Sequence, residues 1–434
     1  MNDYLVNILL WGRIIGTMFW DNRKEYAVFE YEPNFVRSGL EVAPLMMPLR
    51  NRQTIFSFPA HRGVRCFHGL PGLLADSLPD DFGNQLINEW FARNGWPEDS
   101  ITPADRLCYV GRRGMGALEF EPDQGSKDLN VSSELYVRDL TAFAESVFAQ
   151  RASFQEALRQ EDKTMLDILR VGTSAGGAKP KAIIAYNEKT GQVRSGQVKA
   201  PEGFTYWLLK FDGGEYSEHG SLKGNPRGIG NIEYAYYKMA TACGIQMSES
   251  RLLEEGGQHH FMTKRFDRTD SGEKIHTQTA AAMAHFDRDA RHSYEELFSL
   301  MRKIGCDYQE QKQLYLRMLF NVFARNHDDH TKNFSFLMSP DGIWHLAPAY
   351  DICFSYQPGG KWTGRHQLSL NGKQDDFTRG DLLAVADSAG IRGAEQLITL
   401  VQETVSNWKL FARDAGVLES HMNYIANLIY EKLV

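Results

Sequence analysis

The sequence predicts an α+β protein of two lobes, a β-rich amino-terminal lobe and an all-helical carboxyl-terminal lobe. Three observations support this. Apolar residues alternate with period two in short runs up to about residue 266, then recur at three- and four-residue spacing from His292 onward. Two glycine-rich loops interrupt the strand-like texture between Ile168 and Phe266. The 434 residues exceed one ordinary core, so more than one packed unit is expected. The expected divisions are a β-rich unit over 1–125, an α/β unit with a glycine-rich loop over 126–266, and a helical unit over 267–434.

In order along the chain, Val6, Ile8 and Leu10 alternate, Trp11-Gly12 punctuates, and strand texture resumes over Ile14 to Trp20 and Tyr26 to Tyr31. Between Gly69 and Asn94 the pattern becomes helical, with Leu86, Ile87, Trp90 and Phe91 spaced for one face and the aspartates of SLPDD suited to a helix start. A further helix is expected over Val137 to Leu158. Strands are expected over Ala182 to Tyr186, Phe204 to Phe211, Ser248 to Leu253 and His260 to Phe266, with a helix over Ile232 to Ala242 closed by Gly244. The later helices are Gln309 to Ala324, Arg379 to Ala389, Ala394 to Ala412 and Leu418 to Leu433. Two unlike lobes leave a cleft between them, the usual place for a small-molecule site.

Composition narrows the function classes. Apolar residues make up 42% and charged residues 24%, as in ordinary globular proteins. A net charge of −7 argues against a general nucleic-acid coat, which needs a basic surface. The opening MNDYLVNILLWGRIIG has Asp3 ahead of a short apolar run and no basic leader, and no long apolar run follows, so neither a secretory signal nor a membrane span is expected. Five dispersed cysteines without a C-x-x-C pair point to reduced thiols and a cytoplasmic location.

The chemistry concentrates in a few motifs. GTSAGGAK resembles a phosphate-cradling loop, but Ala178 stands where the lysine of G-x-x-x-x-G-K-[ST] belongs. Ser174, Gly176, Gly177, Ala178, Lys179 and Lys181 still provide amides and cations that could approach an anion. NHDDHTKN allows three interpretations. His327 and His330 suggest a metal pair, although H-D-D-H lacks the spacing that puts two imidazoles on one helix face. A polar capping loop is the plain alternative. The third is a catalytic loop, because Asp328 and Asn333 match the D-x-x-x-x-N of kinases, where the aspartate takes the hydroxyl proton and the asparagine holds magnesium.

The rest of a phosphotransfer apparatus appears in the same order. Downstream of a predicted hairpin, APAYDICFS places Asp351 as the second magnesium carboxylate. Upstream, Lys210 is the lone cation of the strand YWLLKF, and Glu233 lies in the next helix where it can orient that lysine. Lys332 is a candidate for steadying the transferring phosphate, and His330 for holding the loop by hydrogen bonding beside the nucleotide. Asp329 adds a carboxylate that could raise the proton affinity of Asp328 or contact metal.

GTSAGGAKPKA, WLLKFD, IEYAYY, KRFDR, NHDDHTKNFSFL and LAPAYDI together resemble the HipA family, the serine/threonine kinase toxins of bacterial toxin–antitoxin modules. The resemblance implies a two-lobed protein-kinase-like fold, with ATP and Mg2+ as cofactors. It implies Asp328 as catalytic base, Asn333 and Asp351 on magnesium, and Lys210 on the ATP phosphates supported by Glu233. It further implies Lys264, Arg265 and Phe266 on the adenine side, Asp267 near the ribose, and autophosphorylation at Ser174, with Thr173 as a neighbouring acceptor. The implied partners are a HipB-like DNA-binding antitoxin and, as substrate, an aminoacyl-tRNA synthetase. A small-molecule kinase or a catalytically silent ATP-binding protein are the alternatives.

Overall fold

The structure is a computed structural model that describes residues 5–49, 53–79, 81–124, 129–142, 167, 169–172, 180–213 and 226–430. The predicted phosphate loop from Thr173 to Lys179, and with it Ser174, Gly176, Gly177 and Ala178, lies outside the described residues. So does most of the helix predicted over Val137 to Leu158.

The amino-terminal unit is an antiparallel sheet in the order β4-β3-β2-β1-β5. Its strands are β1 (Leu5–Leu10), β2 (Arg13–Asp21), β3 (Tyr26–Tyr31), β4 (Ile55–Ser57) and β5 (Leu118–Glu121). β1 and β2 join through Trp11 and Gly12, both with positive φ (51° and 75°), the twist-matched turn of a two-residue hairpin. Val6, Ile8, Met18, Ala27 and Phe29 are fully buried, which is what their period-two spacing requires of one covered face.

A second antiparallel sheet runs β10-β11-β9-β7-β8-β6. It contains β6 (Glu134–Leu135), β7 (Lys181–Tyr186), β8 (Val193–Ser195), β9 (Thr205–Lys210), β10 (Ser250–Glu255) and β11 (Gln258–Lys264). The Ile229–Ala242 helix packs on β10 and β11, and joins the largest core through Ile232, Tyr236 and Met239. The Asp81–Arg93 helix instead contributes Leu86, Ile87 and Phe91 to a separate core with Ile184, Trp207, Leu209 and Met262. Residues that precede β5 in the chain therefore cover the second sheet, because an apolar helix face needs a flat apolar partner and the first sheet's is already taken.

The remainder is mainly helical. The Tyr294–Ile304, Tyr308–Phe323 and Arg379–Ala389 helices each begin with a capping box, from Ser293 with Glu296, Asp307 with Glu310 and Thr378 with Asp381. The predicted helix from Ala394 to Ala412 is two, Ala394–Ser406 and Trp408–Asp414, divided at Asn407. The break turns Trp408 fully inward, where Nε1 donates to the Met422 carbonyl at 3.0 Å. The carboxyl-terminal lobe is not all-helical as expected. The hairpin of β14 (Ser335–Met338) and β15 (Trp344–Leu346) joins β12 (His276–Thr279) in a three-stranded sheet, and β13 (His292–Ser293) pairs with β16 (Leu368–Ser369). No helix among the described residues is long and apolar enough to cross a membrane. All five cysteines are free thiols.

Candidate active site

Two neighbouring strands point their cations the same way. Lys181 of β7 lies directly opposite Lys210 of β9 in an antiparallel pair, and opposite residues project to one face. Lys210 Nζ is 2.5 Å from Glu233 Oε1 and also ion-pairs with the carboxylate of Asp351. Burial works to lower the Lys210 pKa, but the two carboxylates outweigh it and hold the ammonium charged far above its ordinary range. Burial likewise works to raise the Asp351 carboxyl, and Lys210, then Lys181, bring it down to about 2.

Glu233 is placed by a local device. Two residues past the end of β9 lies Asp212, a buried carboxylate that receives the backbone N–H groups of Gly228 at 2.9 Å and Gly230 at 3.2 Å. It thus caps the helix that carries Glu233. Gly228 has a left-handed φ of 87°, and a Cβ on Gly230 would sit 2.1 Å from the His259 carbonyl oxygen, so both glycines are required there.

The catalytic-loop candidate follows the Tyr308–Phe323 helix. Arg325 takes a left-handed φ of 55°, ends the helix, and stacks its guanidinium 4.3 Å from the Tyr356 ring centre. Asn326 then ties back to Asn321 through backbone and side chain, at 3.0 and 2.9 Å. Asp328 emerges with 42% of its side chain exposed in an otherwise buried loop. Asn333 Nδ2 donates to the Asp328 carbonyl at 2.8 Å, so its amide oxygen is the atom left for a ligand. Tyr350 donates to the Lys332 carbonyl at 2.6 Å, which fastens the Asp351 segment to this loop. Asp351 itself has a left-handed φ of 52°, an uncommon state for a non-glycine residue and one that recurs at functional sites.

His330 is buried, and its Nε2 is 3.6 Å from Asp328 Oδ1, beyond hydrogen-bonding range. It neighbours the carboxylate electrostatically rather than holding it by a hydrogen bond. Burial lowers its pKa, against the attraction of Asp328 and Asp351.

Several predicted roles change. Asp329 is turned inward and taken up by its own hydrogen bonds. Its buried carboxylate accepts from Tyr294 Oη (2.8 Å), His366 Nδ1 (2.9 Å) and the Gln367 N–H (2.8 Å), and so serves as an anchor. His327 is fully buried, 4.0 Å from the His366 ring and 4.6 Å from the Tyr356 ring. The two histidines therefore do not converge, and among the described residues no three His, Cys, Asp or Glu side chains form a metal set. Arg265 and Asp267 are not available to adenine or ribose. They form a buried ion pair at 2.7 Å that Arg268 completes, and Asp267 also receives the Gly116 N–H at 2.7 Å, which joins the two sheets. Lys264 pairs with Asp270 at 2.7 Å, while Phe266 stays half-buried, 5.6 Å from the Tyr350 ring.

One functional neighbour went unseen in the sequence. Gln367 Nε2 donates to Asp328 Oδ1 at 2.9 Å from a segment with no motif to mark it.

The oxygen donors fit a hard divalent cation. Asp351 and Asn333 are the carboxylate-and-amide pair that magnesium accepts alongside water and phosphate. A lysine–glutamate pair on strand and helix of one lobe, set against Asp-x4-Asn and a further aspartate from the other, defines a two-lobed protein-kinase-like fold.

Within that class, the chain belongs to the HipA family. The HipA N-terminal domain matches residues 6–121 and the HipA-like C-terminal domain residues 173–408. Among solved structures, it is similar to HipA of Shewanella oneidensis MR-1, determined with HipB and operator DNA. The two are 16% identical, with 99% of this chain and 96% of that one covered and a TM-score of 0.64. The proinflammatory kinase CtkA of Helicobacter pylori is a more partial match, at 14% identity, 59% and 88% coverage and a TM-score of 0.37.

Proposed function

We propose that this protein is an ATP- and Mg2+-dependent serine/threonine protein kinase, the toxin of a HipBA-type pair, acting in the cytoplasm. The observation that carries this reading is the Lys210 ammonium bridging Glu233 of its own lobe and Asp351 of the other, with a half-exposed Asp328 that shares His330 with Asp351 as a neighbour. A structural ion pair needs neither the second carboxylate nor the exposed third.

In this mechanism Lys210, with Lys181 on the same face, binds the ATP phosphates, and Glu233 holds Lys210 in place. Asn333 and Asp351 would hold magnesium, which would supply charge neutralisation at the phosphates. Asp328 accepts the proton of the acceptor hydroxyl as the new oxygen–phosphorus bond forms and the bond to ADP breaks. Lys332 steadies the transferring group. Following the family resemblance, the acceptors are Ser174 of the chain itself and an aminoacyl-tRNA synthetase, and a HipB-like antitoxin restrains the enzyme. The likeness to a HipA solved with HipB and operator DNA supports that partner.

Intact mass of the wild type and of Asp328→Ala, before and after ATP with magnesium, tests this reading. One added phosphate in the wild type alone, mapped to Ser174, is the expected result. Label appearing only in small molecules would replace it with a metabolite kinase, and an unchanged mass with no labelled protein in a lysate would refute it.

A further inference from the structure

We propose that Gln367 is a positioning residue that orients the carboxylate of Asp328 for proton acceptance. The inference rests on the kinase reading above and deepens it.

Rotation of a carboxylate about its terminal bond is soft, so an exposed aspartate does not hold one oxygen toward an acceptor unless something grips the other. Among the described residues, Gln367 is the one whose side chain hydrogen-bonds the Asp328 carboxylate, at 2.9 Å to Oδ1. His330 faces the same oxygen at 3.6 Å. Both contacts fall on Oδ1, which leaves Oδ2 for the incoming hydroxyl. The proton goes to Oδ2 while the hydroxyl oxygen bonds phosphorus and the bond to the ADP oxygen breaks.

Gln367 can do this because its backbone is clamped on both sides. Its N–H donates to Asp329 Oδ1 at 2.8 Å, and its carbonyl accepts from Gln374 Nε2 at 3.2 Å. The next residues, Leu368 and Ser369, pair in parallel with His292 and Ser293. His366 on the other side bonds Asp329 Oδ2 at 2.9 Å. The adjacent carboxylates thus divide the work: Asp329 fixes the segment, and the segment's side-chain amide fixes Asp328. This explains why a second aspartate follows the first yet is turned entirely inward.

The test is phosphoryl transfer from ATP, read as phosphate added to the chain and as phosphate released with water as acceptor. It compares the wild type with Gln367→Ala, the isosteric Gln367→Glu, which has no amide donor, and Gln367→Lys, which keeps a donor. Gln367→Ala and Gln367→Glu are expected to lose kcat by roughly 10- to 100-fold, as small misplacements do, with KM for ATP within about twofold. Gln367→Lys is expected to recover most of the loss. A Gln367→Ala kcat within twofold of the wild type overturns the role, as does a loss matched by weaker ATP binding and a lower thermal midpoint. A wild type that transfers no phosphate to the chain, to water or to any protein in a lysate overturns the kinase reading and this role together, so the two failures are distinguishable.

Discussion

Lys210 and Asp351, 141 residues apart in sequence, form an ion pair that joins the second sheet to the segment following the β14–β15 hairpin. Glu233 completes the triad, so the substitution Lys210→Met leaves two carboxylates sharing one pocket. We expect it to abolish phosphoryl transfer and to destabilise the fold by about 1–3 kcal/mol. That is below the cost of breaking a fully buried pair, because 36% of the Asp351 side chain is exposed. Thermal unfolding of Lys210→Met beside Lys210→Arg checks this, and equal midpoints for Lys210→Met and the wild type would contradict it.

Asp328→Ala should keep ATP binding and lose transfer by about 10²- to 10⁴-fold, the range for removing a positioned general base. Isothermal titration with ATP and magnesium, run beside the transfer assay, separates the two effects. Loss of both together would mean that Asp328 binds nucleotide.

Asp329→Ala removes the acceptor of Tyr294, His366 and the Gln367 N–H at once. Stranding several buried donors should cost about 3 kcal/mol or more, visible as a lower urea midpoint with an unchanged slope. An effect of the size of a surface substitution would show that water replaces the carboxylate.

Asp212→Ala uncaps the helix that bears Glu233. A loss of about 1–2 kcal/mol is expected, with a raised KM for ATP as Glu233 loses its fixed place beside Lys210. Comparing KM for ATP in Asp212→Ala and Asp212→Asn tests the link between cap and site.

Acid should weaken the fold well before its carboxylates titrate. Burial lowers His276 and His260 to about 4 and His285 to about 3, whereas an unfolded histidine titrates near 6.5. Below about pH 6.5 the unfolded chain binds protons that these folded imidazoles refuse. Their contribution is therefore fully present above that pH and is lost progressively down to about pH 4. Asp351, lowered to about 2, adds a further loss below the ordinary carboxylate range. Thermal midpoints should hold from pH 7.5 to about 6.5 and then fall to pH 4, and a flat profile down to pH 5 would contradict the burial of these rings.

Much of the secondary structure was written locally. Trp11-Gly12 marked a hairpin, Arg379–Ala389 was bounded by its own capping box and a terminal glycine, and the hairpin after the catalytic loop was expected in place. Lys210 could be picked out because a cation in an apolar strand needs a reason, and Asp328 with Asn333 by their spacing. These signals lie within one element, where side-chain period and turn chemistry act.

Other features depend on which surfaces meet. Periodicity showed that Leu86, Ile87 and Phe91 share a face, but only packing assigned that face to the second sheet. KRFDR could be placed beside a nucleotide by resemblance, yet Arg265 and Asp267 neutralise one another in a buried interface with Gly116. The direction of Asp329 and the reach of Gln367 to Asp328 depend on β13 and β16 lying side by side across a long stretch of chain. The elements and the reactive groups can be read along the chain, since propensity, capping and charge are local properties. Which of those groups are exposed, paired or clamped follows from packing, because burial and hydrogen bonding are settled between segments remote in the chain.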